Sequence, residues 1–279
     1  MRRGASSSAA ASAPSDGGGA ALPPLGFRFS PGAFLFPYYI GVLQALRDEE
    51  LLLPSSPLAG SSAGAICVVC EAAGLRSDKL LSLCEQTFAR SLEAGVVGSV
   101  EGVLRDVLER ELPADVAEAC AGRVGVGVTR LLPPQKLVVS DFSSKADVIE
   151  AVIASSFIPG YMRVAPFTTL RGRAHIDGYF SSFLPDLPSP AKRVVSVSCF
   201  NPTAATLLHS LRPPSLDIQP GIVERLQRDG RGAGSKMSST AWNLTVAAVP
   251  TPSEIVPMYE AGLSDARAWA YRFKETEAV

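Results

Sequence analysis

The chain has 279 residues, 47% of them hydrophobic and 19% charged, with a formal net charge of −1. That length supports one large core or two small ones, and the near-neutral balance excludes a nucleic-acid partner held by bulk charge. No uninterrupted apolar run reaches the roughly 18–20 residues of a membrane-spanning helix, residues 63–70 and 241–249 being too short or too mixed, so a soluble or peripheral protein is expected.

Residues 1–25 are Ser, Ala, Gly and Pro with two early arginines and one acid, Asp16. This composition cannot bury enough apolar surface to order itself, and it fits either a plain disordered tail or a plastid or mitochondrial transit peptide. From Phe27 the pattern changes. Residues 27–30 read as a strand broken at Pro31-Gly32. Residues 37–50 read as a helix with proline at its start and the acids Asp48, Glu49 and Glu50 at its end. Residues 57–61 read as a second strand. Helices are then expected over 65–73, 77–93, 100–111 and 113–121, with Ser77 as an N-cap.

Two strands follow, at 123–131 and 136–142, then a helix over 146–154 ending near Ser155-Ser156-Phe157-Ile158-Pro159. A strand pair is expected within 164–176. The β-branched run at 193–200 suits a buried parallel strand. Residues 202–220 read as loop and 254–272 as a C-terminal helix. Strands alternating with helices imply an α/β layered fold with a largely parallel sheet.

The five cysteines, Cys67, Cys70, Cys84, Cys120 and Cys199, are an odd number, which argues for a reducing, intracellular setting and against a disulfide scaffold. Cys67 and Cys70 form a C-x-x-C pair on an apolar helix. A metal would need two further ligands, and the histidines are only His175 and His209, so both cysteines read as core.

Gly60-Ser61-Ser62-Ala63-Gly64 carries the chemistry. It sits between a short strand and a helix, the setting in which G-x-S-x-G forms a nucleophile elbow with Ser62 at its tip. A serine nucleophile needs a base and donors for the oxyanion. Two bases are open on the residues alone. The order Ser62, Asp177, His209 would make a triad. Alternatively Asp177, in His175-Ile176-Asp177-Gly178-Tyr179, accepts the proton directly, provided burial raises its pKa. The aromatic cluster of Phe34, Phe36, Tyr38 and Tyr39 reads as core, with a subset available to line an acyl-chain pocket.

Four segments together resemble the patatin-like acyl hydrolases, on the branch of adipose triglyceride lipase and adiponutrin. They are Phe29-Ser30-Pro31-Gly32-Ala33-Phe34-Leu35 with the helix after it, the elbow at 58–65, the stretch from Val139-Ser140-Asp141-Phe142 to Pro159, and Ile176-Asp177-Gly178. The resemblance spans about residues 26–200 in consistent order. It implies a three-layer α/β/α fold, a catalytic domain over 26–279 with a divergent part at 201–279, and a Ser62–Asp177 dyad needing no histidine, metal or cofactor. It further implies an acyl-enzyme formed from a lipid ester at a membrane or lipid-droplet surface. Gly32, Ala33 and Ala63 would hold the oxyanion, Gly60 and Gly64 would shape the elbow, and Gly178 would support Asp177. Two departures stand out. The loop at Pro31-Gly32-Ala33 is poor in glycine, and Tyr179 replaces a small residue and is expected to narrow the mouth of the site.

Overall fold

The computed structural model describes residues 23–95, 97–200, 215–221 and 249–277. β1 (Leu25–Phe29) passes through a 3-10 turn (Ala33–Leu35) into α1 (Phe36–Asp48), β2 (Leu58–Ser61) and α2 (Ala63–Ala72). Three more helices follow, α3 (Ser77–Glu93), α4 (Val100–Glu111) and α5 (Val116–Cys120). Next come β3 (Val124–Arg130), β4 (Gln135–Val139), α6 (Lys145–Ser155), β5 (Thr168–Leu170) and β6 (Arg173–Asp177). A second 3-10 turn (Gly178–Phe180), β7 (Arg193–Val197) and α7 (Pro252–Glu277) complete the described chain.

The fold is the α/β arrangement expected, with helices around a seven-stranded sheet. β7, β1, β2 and β3 run parallel, and β4, β5 and β6 add an antiparallel extension. β3 explains why the sheet needs its valines and glycines in alternation. Val124, Val126 and Val128 are fully buried in the main hydrophobic core together with residues of α2 and α6. On the other face, a Cβ on Gly127 would lie 2.3 Å from Ser61 Oγ and 3.1 Å from Ser182 and Pro185. The chain after β6 therefore lies directly on the glycine face of β3.

Two local expectations change. Ser77 does not cap α3; it is the first helical residue, and no side chain caps this helix. Its hydroxyl instead donates to Gln44 Oε1 (2.8 Å) and accepts from Arg47 (2.8 Å), within a buried network in which Arg47 also pairs with Glu71. The tertiary partners outcompete the local cap. The acids at the end of α1, badly placed for a helix dipole, are met by α7: Arg267 lies 3.1 Å from Asp48 and Lys274 lies 2.8 Å from Glu49.

α1 and α7 also touch through backbone. A Cβ on Gly41 would stand 2.0 Å from the Tyr259 carbonyl oxygen, and one on Gly262 would stand 2.0 Å from the Tyr38 carbonyl oxygen. Each helix thus lacks a side chain where the other's backbone passes. Gly41→Ala and Gly262→Ala should each destabilise the protein by on the order of 1–3 kcal/mol in denaturant unfolding, because the obstacle is main chain that cannot rotate away. Gly102→Ala is the contrast: it lies in α4 with nothing within 4 Å of a new Cβ, so it should be neutral or stabilising by up to about 1 kcal/mol.

Candidate active site

The strand registers bring the two proposed reactive residues together. Val126 and Gly127 pair with both β2 and β4, which must therefore lie on opposite edges of β3. Val128 to Arg130 pair with both β4 and β6, so β6 shares the edge used by β2. β2 runs along that edge parallel to β3 and ends with Ser61 opposite Gly127. β6 approaches from the other end and stops with Asp177 opposite Val128. The two strands meet head to head, one β3 residue apart.

The chain leaves β2 through a turn that tolerates only small residues. A Cβ on Gly60 would lie 2.2 Å from the carbonyl group of Gly64, and one on Gly64 would lie 2.6 Å from the Phe29 carbonyl oxygen. Ser62, at the N-cap of α2, is held at φ 54° and ψ −122°, a costly backbone conformation for a residue with a side chain. Its N–H donates to Ser155 Oγ (2.8 Å), and Ser155 Oγ donates to the Gly127 carbonyl (2.6 Å). One hydroxyl therefore ties the elbow to β3. A neighbouring anchor runs from Ser61 Oγ to the Ser182 carbonyl (2.5 Å).

Asp177 is 1% exposed. Burial pushes its carboxyl up from 3.8 to about 7, against the opposing effects of a bond from the Tyr179 N–H and one with the Ser62 side chain. The Tyr179 N–H donates to Oδ1 at 2.7 Å, and Thr129 Oγ1 donates to the Asp177 carbonyl at 2.8 Å. The Tyr179 and Thr129 bonds thus hold Asp177 in place, and burial brings its carboxyl near neutrality. Gly178 is required by closeness, since its Cβ would lie 2.3 Å from the Gly127 carbonyl oxygen.

The loop before α1 faces the same place. Ala33 lies beside Ser62 and Ala63 in the wall of one cavity. Among the described residues, the N–H groups of Gly32, Ala33 and Ala63 have no hydrogen-bond acceptor. Ala33 takes a left-handed φ of 47°, at a cost on the order of 1–3 kcal/mol, so the loop keeps a glycine-like backbone without the glycine. The missing N–H of Pro31 is immaterial to its anchoring, because it is its carbonyl that is used. Tyr39 Oη lies 3.1 Å from the Pro31 carbonyl oxygen and 2.8 Å from that of Ser30, and it accepts from the Cys199 N–H at 3.2 Å. A Cβ on Gly32 would lie 2.7 Å from Cys199 Sγ, which keeps the loop flush with the end of β7.

The cavity has a volume of about 140 Å³ and runs from Ser62 between α2, α3 and α4. Phe34, Ile66, Leu83, Phe88 and Val107 give it an apolar wall. The aromatic cluster thus divides: Tyr38 and Tyr39 are fully buried in the core, while Phe34 and Phe36 line the cavity. Tyr179 does not narrow it. Its ring packs edge-on against Phe180 and Phe183 and lies outside the cavity wall. Cys70 also lines the cavity, with its thiol pushed up to about 12 by burial.

His175 is buried in β6, with Nδ1 2.9 Å from the Arg173 carbonyl oxygen and its pKa lowered by burial. His209, the base of the alternative triad, lies outside the described residues, as do the tail at 1–22 and most of the loop at 202–220. Among the described residues no helix is long and apolar enough to cross a membrane. Sequence reasoning missed Ser155 and the Tyr39 hydroxyl. Both act over long sequence separations, 93 residues from Ser155 to Ser62 and 160 from Tyr39 to Cys199, which no local pattern encodes.

Comparison with known proteins gives the family. Residues 29–186, more than half of the chain, match the Patatin-like phospholipase family model. Human (Homo sapiens) omega-hydroxyceramide transacylase is 33% identical over 170 residues, covering 58% of this chain and 32% of that protein. The human 1-acylglycerol-3-phosphate O-acyltransferase PNPLA3 is 32% identical, covering 62% and 37%. Human patatin-like phospholipase domain-containing protein 2 is 29% identical, covering 68% and 40%. The chain thus spans between about a third and two fifths of the length of these relatives. With its family match running from the end of β1 through the elbow and past Asp177, the chain belongs to the patatin-like phospholipase family.

Proposed function

We propose that this chain is a lipid acyl hydrolase in which Ser62 is the nucleophile and Asp177 the base. The observation that carries the reading is a buried serine–aspartate pair opening onto an apolar cavity beside three backbone N–H groups without acceptors among the described residues. In the first half-reaction the Asp177 carboxylate accepts the Ser62 proton as Oγ attacks the ester carbonyl. The N–H groups of Gly32, Ala33 and Ala63 stabilise the oxyanion, helped by the positive end of α2. The protonated carboxyl then gives its proton to the departing alcohol. Water, deprotonated by Asp177, releases the acyl group and restores Ser62.

An acyl-enzyme can also be resolved by the hydroxyl of a second lipid. Relatives named as a transacylase and an acyltransferase favour testing that outcome. The lipid would be met at a membrane or droplet surface, a reading supported by Val97 and Val164, which are 70% and 87% exposed and lie three and two residues in sequence from Val100 and Met162 of the cavity wall. The catalytic domain is proposed to extend over residues 26–279, because β7 and α7, beyond the family match, are built into the sheet and against α1.

A fluorophosphonate probe should label Ser62. Ser62→Ala should abolish labelling and ester turnover, and Asp177→Asn should lower turnover by at least about 100-fold, while His175→Ala and His209→Ala keep it. Turnover that survives Ser62→Ala, or fails in His209→Ala, would sink the dyad.

The pH dependence has a definite sign. The base must be ionised, so kcat/KM should fall on the acid side of about 7. Between 3.8 and about 7 the folded chain holds a proton at Asp177 that the unfolded chain has released. Stability from this site therefore decreases as pH rises through that window and is lowest above it. Asp177→Asn, which keeps an acceptor for the Tyr179 N–H, should melt at a higher temperature than the parent at pH 8, with the gap closing toward pH 5. A melting temperature lowered equally at both pH values would contradict it.

A further inference from the structure

The N–H groups of Gly32 and Ala33 are aimed from behind, by the carbonyls on the far side of their peptide units. A trans peptide is planar, and its C=O and N–H point in opposite directions. The Pro31–Gly32 and Gly32–Ala33 peptides are both trans. Holding the Pro31 carbonyl therefore fixes the direction of the Gly32 N–H, and holding the Gly32 carbonyl fixes that of the Ala33 N–H. The Gly32 carbonyl accepts from the Leu35 N–H at 2.9 Å, an ordinary bond of the 3-10 turn. The Pro31 carbonyl accepts from no backbone N–H among the described residues.

Side chains hold it instead. Ser30 Oγ donates to the Pro31 carbonyl at 2.8 Å, Tyr39 Oη lies 3.1 Å from the same oxygen, and Cys199 Sγ lies 3.6 Å from it. Tyr39 Oη is also 2.8 Å from the Ser30 carbonyl oxygen and 2.8 Å from Ser30 Oγ. Two neighbouring hydroxyls thus have two protons for the two carbonyls that precede Gly32. The end of β7 orients both: the Cys199 N–H donates to Tyr39 Oη (3.2 Å), and Ser198 Oγ lies 3.1 Å from Ser30 Oγ. Ser30, Tyr39, Ser198 and Cys199 are all fully buried, so water does not compete for these bonds. The Gly32 N–H consequently points away from Tyr39 and Cys199, and the next residue, Ala33, stands in the cavity wall beside Ser62.

We propose that Tyr39 is a positioning residue of the reaction: through the Ser30 and Pro31 carbonyls, its hydroxyl aims the Gly32 N–H at the oxyanion without touching the substrate. The proposal rests on the acyl-hydrolase reading and adds to it a residue at one remove from the ester. It also gives the proline a place in the mechanism. Position 31 has no N–H through which the loop could be tied, so the direction of the donor that follows is set from its carbonyl side.

Tyr39→Phe keeps the ring and removes the hydroxyl. With a p-nitrophenyl acyl ester in detergent micelles, kcat should fall by roughly 10- to 100-fold while KM stays within about 2-fold. The rate at which a fluorophosphonate labels Ser62 should fall by a similar factor, because its phosphoryl oxygen must enter the same hole. The acid limb of kcat/KM should stay near 7, since the base is untouched. Tyr38→Phe is the control. It removes an equally buried hydroxyl one residue away, bonded to Asp265 (3.1 Å) and not to the loop, so it should lower the melting temperature and leave kcat unchanged. Ser30→Ala takes the other hydroxyl off the Pro31 carbonyl and should lower kcat by roughly 3- to 10-fold; it decides the matter if Tyr39→Phe does not fold. Equal kcat losses in Tyr38→Phe and Tyr39→Phe, or kcat retained in whichever of Tyr39→Phe and Ser30→Ala fold, overturn the proposal and leave Tyr39 a packing residue. Absence of any Ser62-dependent turnover in the parent would instead overturn the reading on which it rests.

Discussion

β2 and β6 run toward each other along one edge of β3, and the rest of the site depends on where they stop. Ser61 faces Gly127 and Asp177 faces Val128, so the residues that follow have no room for another strand position between them. The chain must leave the sheet at both ends at once. β2 leaves upward into α2 through the strained Ser62, and β6 leaves through Gly178 into a 3-10 turn. The glycines at 60, 64, 127 and 178 are all explained by this crowding, since a methyl group at any of them would overlap neighbouring atoms. The same closure excludes water from the Asp177 carboxyl, which is what moves it from an ordinary acid to a group balanced near neutrality.

The helices serve this meeting point at different distances. α2 starts on it and directs its N-terminal dipole there. α3 and α4 stand off and leave an apolar space rather than a filled core. α1 does something less visible. It emerges from the Gly32-Ala33 loop and returns Tyr39 to the two carbonyls that precede that loop. A fully buried tyrosine thus holds a loop that has no regular ladder of its own.

Much of this was legible in the sequence, for identifiable reasons. The elbow was readable because glycine spacing reports local crowding directly, and a strand was expected over 123–131, where β3 forms. The resemblance of four ordered segments selected Asp177 over a histidine triad as the expected base, and the burial of that aspartate agrees in direction with what such a base needs. What could not be read were contacts across large sequence distances: Ser155 on the elbow, Tyr39 on the loop, and Ser77 diverted from its cap by Gln44 and Arg47. Tyr179 differs, since its partners are local: its size was visible, but not that its ring would pack against the nearby Phe180 and Phe183.

The reciprocal glycine contact between α1 and α7 bears on what counts as a unit of this protein. The match to the family model ends at residue 186, ahead of both β7 and α7. A fragment cut at that boundary would carry every residue of the proposed dyad and oxyanion loop. It would nevertheless expose one whole edge of β1, remove the Cys199 N–H from Tyr39, and uncover the side of α1 on which Gly41 lies. The stretch matched by the family model is therefore smaller than the packed unit, and the end of the described chain beyond that match serves as scaffolding for the Gly32-Ala33 loop.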